Sequence, residues 1–149
     1  GPVVITGAFD NEDFPLRELA DFDYLRKRCG SRPVKVKGEM FSDRHGNHVY
    51  VSDPTVEVPF SDYLARIEAA ESSEVPVGGY LGKASLREML PELADDVDAA
   101  DASPIKQFRE CFGPNTRGTH TYLGCGRNTT GTHFDMHENL LLVVAGSKS

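Results

Sequence analysis

Near the end of this chain a histidine and an aspartate stand two residues apart, His133 and Asp135, and a lysine, Lys148, follows a run of six apolar or small residues, 140–145. A neutral imidazole and a carboxylate together suit Fe(II), Mn(II) or a similar divalent ion. In an extended strand residues i and i+2 share a face, about 6.5 Å apart along the chain. Where the strand twists or ends, both can reach one ion. A second imidazole would complete a facial triad and leave adjacent positions open for a cosubstrate and dioxygen. His137 extends the same face but lies roughly 13 Å from His133 on an extended strand, too far for a shared ion. His120, His45 and His48 are the other imidazoles, and none has a spacing that recommends it. Taken alone, the motif is short, and a hydrogen-bonded pair on a sheet is the better account of it. Lys148 is costly to bury without an anion and unremarkable if it emerges at a strand end into solvent.

These residues need a scaffold. Residues 2–7 form a β-branched run closed by Gly7, which reads as a strand. Pro15 opens a helical pattern that runs to about Cys29, with Gly30 as its stop. Residues 33–38 alternate apolar and charged side chains, the pattern of a half-exposed strand. Residues 42–47 carry turn chemistry, and residues 48–51 and 55–58 are short strands. A second helix begins at residues 60–61, with Ser61 as N-cap and Tyr63, Leu64 and Ile67 as its apolar stripe. Residues 80–83 read as a strand. Ser85 and Glu88 form a capping-box pattern for a third helix, which Pro91 kinks or ends. Residues 92–103 are acidic and poor in large apolar groups, and are expected to be a surface loop. They lack the ligand spacing and central glycine of a calcium loop. A short amphipathic piece follows Pro104, then a loop over 113–118. Residues 119–124 are rich in β-formers, 129–135 are extended, and 140–145 suit a buried strand.

With 149 residues the chain is long enough for one domain with a real core. Net charge is −7, and basic residues are scattered, which argues against a nucleic-acid backbone as partner. The short cluster Arg26, Lys27, Arg28 suits a helix C-terminus. No apolar run approaches a membrane span. The three cysteines are widely spaced with no CxxC pair, so neither a disulfide framework nor a structural zinc site is expected. That composition, with no secretory signal at the N-terminus, points to an intracellular compartment, cytoplasm or nucleus. Helices and short strands come first and sheet follows, without βαβ alternation or a glycine-rich phosphate loop, so the expected class is α+β.

The joint pattern Asn128, Thr129, Thr130, Gly131, Thr132, His133, Phe134, Asp135, with Asn139 four residues on and Gly146, Ser147, Lys148 closing the next strand, resembles the JmjC family. It is most similar to the cupin-like branch of Fe(II)- and 2-oxoglutarate-dependent hydroxylases, which includes the asparaginyl hydroxylase acting on hypoxia-inducible factor. The specific part covers about 25 residues; looser similarity extends to residues 2–7, 60–64 and 80–82. The resemblance implies a double-stranded β-helix, or jelly roll, with residues 1–112 as a helical and strand lead-in and 118–149 as the first core strands. It implies His133 and Asp135 as two of three iron ligands. Thr130 and Lys148 would hold the far carboxylate of 2-oxoglutarate, and Asn139 would orient that cosubstrate beside the iron. The family's tryptophan-rich positions are empty, since the chain has no Trp, and Tyr122 stands near one of them. The family's third ligand, a histidine on a later core strand, is expected after Ser149, so residues 1–149 are expected to be the N-terminal portion of one domain and inactive by themselves.

Three functions follow as expectations. The first is a dioxygenase, hydroxylase or demethylase, acting on a protein side chain. The second is a non-catalytic cupin-like module that meets a partner chain through open sheet edges, as in an assembly. The third is a cupin that binds metal without 2-oxoglutarate.

Overall fold

A computed structural model describes residues 3–7, 15–38, 40–45, 48–50, 54–71, 79–99, 110–111, 118–125, 128–130 and 133–148. The amphipathic piece expected after Pro104 lies outside these residues except at 110–111, which are helical, and the loop expected at 113–118 lies outside them up to residue 117.

The first helical stretch is broken in two. Residues Pro15–Ala20 form a 3₁₀ helix, and α1 runs over Phe22–Cys29. Asp21 causes the break, because its carboxylate accepts the Asp23 amide at 2.8 Å and caps a new helix. Gly30 ends α1, its amide bonded to the Arg26 carbonyl.

Strands β1 (Pro33–Lys37) and β4 (Thr55–Pro59) pair antiparallel from Pro33↔Pro59 to Lys37↔Thr55. Strands β2 (Met40–Ser42) and β3 (His48–Tyr50) make a separate hairpin. Helix α2 covers Phe60–Glu71, beginning one residue before the expected cap, so Ser61 sits inside the first turn. Strand β5 is Tyr80–Ser85, and β6 is His120–Gly124. The main sheet has the order β4-β1-β5-β6, antiparallel throughout, with a register shift in the β5–β6 ladder between Leu81 and Ala84. Lys83, in that shift, takes a positive φ of 52°.

Ser85 caps α3 (Leu86–Met89) as expected, its hydroxyl accepting the Glu88 amide at 3.4 Å. Leu90 then leaves helical geometry, and Pro91 opens α4 (Pro91–Ala99), the first helical turn being where proline is tolerated. The loop expected at 92–103 is therefore corrected over 92–99, which are helix. Two forces hold α4. Leu93, Ala94 and Val97 enter the core. Its carboxylates meet arginines outside the helix: Asp96 pairs with the remote Arg28, Glu92 with the remote Arg32, and Asp95 and Asp98 with Arg87 of the neighbouring α3.

The core lies between one sheet face and the helices. Val34 and Val36 of β1, Val58 of β4, and Leu81 and Ala84 of β5 meet Leu25 of α1, Phe60, Tyr63, Leu64 and Ile67 of α2, Leu86 of α3 and the buried face of α4. Tyr63 is fully buried with its hydroxyl in use. It donates to the Leu123 carbonyl at 2.6 Å and accepts the Leu81 amide at 3.1 Å. Leu81 and Leu123 are register partners, so a helix side chain ties β5 to β6.

Two expected strands are corrected. Residues 3–7 are irregular, with Val3, Val4 and Ile5 exposed. Residues 140–145 are also irregular, and Leu140, Leu141, Val143 and Val144 face solvent. A strand requires a partner ladder, and among the described residues neither segment has one. The molecule is α+β as expected, with a four-stranded antiparallel sheet; the described strands do not close into a jelly roll. No helix among the described residues is long and apolar enough to cross a membrane.

Candidate functional site

The segment carrying the predicted ligands follows β6. Residues 128–130 and 133–148 are described, and Gly131 and Thr132 lie outside them. Thr130, His133, Asp135, Asn139 and Lys148 are all exposed and all in irregular backbone. Gly146 turns the chain with φ +79° just before Lys148. The extended stretch expected over 129–135 is irregular at its described residues, 129–130 and 133–135, where no strand spacing binds His133 and Asp135.

Asn139 and Asp135 are in direct contact. Asn139 Nδ2 donates to Asp135 Oδ2 at 2.9 Å and to the His137 carbonyl at 3.2 Å. Residues 136 and 137 bend beneath this bridge. His137 and Asp135 are thereby held on one small loop.

Asp135 also has an aromatic neighbour. Burial raises the Tyr122 phenol above its ordinary titration range, and the negative Asp135 raises it further. Tyr122 in turn adds to the effect of burial on Tyr80, whose phenol is also raised. Tyr80 lies on the sheet face away from the helices, where Lys37, its register partner, holds its Nζ 5.7 Å from the ring centroid. Two glycines make room for that ring. A Cβ on Gly82 would stand 2.6 Å from Tyr80 Cε1, and one on Gly124 would stand 3.0 Å from Tyr80 Cδ2. The Asn128 side chain lies against Gly124 as well, with its Oδ1 buried and unpaired.

The sequence places Tyr122 near one of the family's tryptophan positions but does not bring Tyr80 and Lys37 beside it. The signal was present for Tyr80: residue i+2 of the same strand is Gly82, and a glycine on the same face beside a large ring marks a seat for that ring. The cross-strand Gly124 could not be placed without the register.

The donor set fits a divalent ion in kind, one imidazole and one carboxylate. It does not reach the number needed, since among the described residues no three His, Cys, Asp or Glu side chains come together to hold a metal. His120 stands at the start of β6 opposite Ser85. His45 sits at the β2–β3 turn, where its Nε2 accepts from Arg44 at 3.0 Å. The side chain of His48 lies outside the described residues.

A family model described as a cupin-like domain matches residues 1–149. No curated protein matches the chain, and no solved structure does.

Proposed function

The chain belongs to the cupin-like domain family, and from that premise we propose that it serves a Fe(II)- and 2-oxoglutarate-dependent dioxygenase. The reaction would be hydroxylation of a protein side chain, or demethylation through hydroxylation. The observation that carries this reading is the Asn139–Asp135 bridge at 2.9 Å within a segment that also bears His133, Thr130 and Lys148.

In this reading His133 and Asp135 supply two ligands, and the resemblance puts the third on a strand after residue 149. When bound, Fe(II) and 2-oxoglutarate supply the oxidative chemistry: a substrate C–H becomes C–OH as dioxygen is consumed and 2-oxoglutarate leaves as succinate and carbon dioxide. The Lys148 ammonium provides the point charge for the far carboxylate, and the Thr130 hydroxyl adds direction. The irregular backbone of residues 133–148 lets both ends of the segment turn toward one ligand. Tyr122 stands near enough to Asp135 to feel its charge. The jelly roll belongs to the same proposal, with β6 as its first core strand.

A second reading has its own observation. Phe134 and Met136 are about nine-tenths exposed, at 89% and 90%, and Leu140, Leu141, Val143 and Val144 are exposed beside them. A non-catalytic cupin-like module that buries this segment against a partner chain accounts for the same residues.

Anaerobic titration of the full-length protein with Fe(II) and 2-oxoglutarate separates the two. The dioxygenase reading expects a metal-to-ligand charge-transfer band that His133→Ala abolishes and Lys148→Ala weakens. A folded full-length protein with no such band excludes the dioxygenase and favours the interaction module.

A further inference from the structure

The resemblance assigns Asn139 to the cosubstrate, but the contacts it makes are to the protein. Its Nδ2 carries two hydrogens, and both have acceptors, Asp135 Oδ2 at 2.9 Å and the His137 carbonyl at 3.2 Å. Because both neighbours only accept, the amide nitrogen and not the amide oxygen must face them. The orientation of the carboxamide is therefore fixed by chemistry.

Asp135 is exposed, and its side chain would otherwise rotate freely in water. The hydrogen bond engages Oδ2 and gives the carboxylate one direction. Oδ1 takes no part in this bridge. A carboxylate held in this way presents its lone pair without first losing rotational freedom. The second bond, to the His137 carbonyl, anchors the amide to the backbone between the two residues, so the bridge closes a loop of five residues, 135–139.

We propose that Asn139 is a positioning residue for Asp135, which holds the carboxylate in one orientation for a metal before any cosubstrate arrives. This rests on the reading of Asp135 as a metal ligand given above.

The test uses the full-length protein with Mn(II) as the probe, followed by electron paramagnetic resonance in the absence of 2-oxoglutarate. Asn139→Ala is expected to weaken Mn(II) binding on the order of ten- to hundredfold, the usual effect of removing an outer hydrogen bond to a ligand. In an Asp135→Ala background the same substitution should cost nothing more, because the group it acts through is gone. In the metal-free protein, the Asn139 side-chain amide ¹⁵N–¹H signals should move on Asp135→Ala. Mn(II) binding as tight in Asn139→Ala as in the wild type overturns the proposal, and so do amide signals indifferent to Asp135. If the wild type itself binds no Mn(II) and His133→Ala changes nothing, the metal reading fails and takes this role with it, an outcome distinct from normal binding that ignores Asn139.

Discussion

The hydroxyl of Tyr63, on helix α2, donates to the carbonyl of Leu123, on strand β6, at 2.6 Å. It also accepts from the Leu81 amide of β5 at 3.1 Å. One buried oxygen thus satisfies a donor and an acceptor that face each other across a ladder disturbed by a register shift. Tyr63→Phe keeps the ring and removes the oxygen, leaving both backbone groups without it. Chemical denaturation should show a loss of about 1–3 kcal/mol at unchanged m-value. An unchanged midpoint would mean that the two strands close directly over the gap.

Gly79 precedes β5 with φ +82°, and a Cβ there would stand 2.6 Å from Val36 Cγ1 and 3.0 Å from the Lys37 carbonyl oxygen. Gly79→Ala therefore meets both a conformational cost and a steric one, against the strand that pairs with β5. A destabilisation of about 2–4 kcal/mol is expected, read as a lower melting temperature with the far-UV spectrum retained.

Asp96 ties α4 to α1. The Arg28 guanidinium holds its carboxyl below the ordinary carboxylate range, and the Tyr24 hydroxyl donates to it at 2.7 Å. A carboxyl depressed in the folded state contributes stability that is fully present above the unfolded value, about 3.9, and is lost as pH falls through the folded value. Arg28→Ala should therefore lower the melting temperature slightly near neutral pH. The gap from the wild type should narrow as pH falls below about 4 and close only once pH has passed through the depressed folded value, where the carboxyl is protonated in both proteins. A constant gap across that range would show that Arg28 acts by packing alone.

Burial pushes the Cys29 thiol up to about 11, and its Sγ donates to the Leu25 carbonyl at 3.4 Å. Cys111 is exposed. At about pH 8 the thiolate of Cys29 is scarce as well as inaccessible. Thiol labelling followed by peptide mapping should find Cys111 modified in the native protein and Cys29 only after denaturation. Modification of Cys29 at a comparable rate would mean that α1 opens readily from the core.

Local signals were legible where the chain itself supplies the partner. Ser85 caps α3 at the Glu88 amide as the spacing says, that helix ends before Pro91, and Tyr63, Leu64 and Ile67 are buried on α2. The alternation of β1 places Val34 and Val36 inside. Elements that depend on remote partners were not legible. The acidic stretch at 92–99 reads as a loop until Arg28 and Arg32, some 60 residues away, are seen to meet its carboxylates. Residues 3–7 and 140–145 have strand composition, but composition cannot say whether a neighbouring strand is there to pair. Asp21 was passed over as a cap because the helical spacing continues through it. For the site, residue types and spacing led to the cupin-like family; the Asn139–Asp135 contact and the neighbourhood of Tyr122 required three dimensions.

Within residues 133–148, Leu142 is half-buried where the others are exposed, and it packs against the core cluster. It anchors the segment to the core between Asp135 and Asn139 on one side and Lys148 on the other. Leu142 ligates nothing, yet shortening it would loosen both halves together. Leu123 packs on the same cluster, and its carbonyl takes the Tyr63 hydroxyl. The segment thus rests on the same packing that fastens β6 to α2.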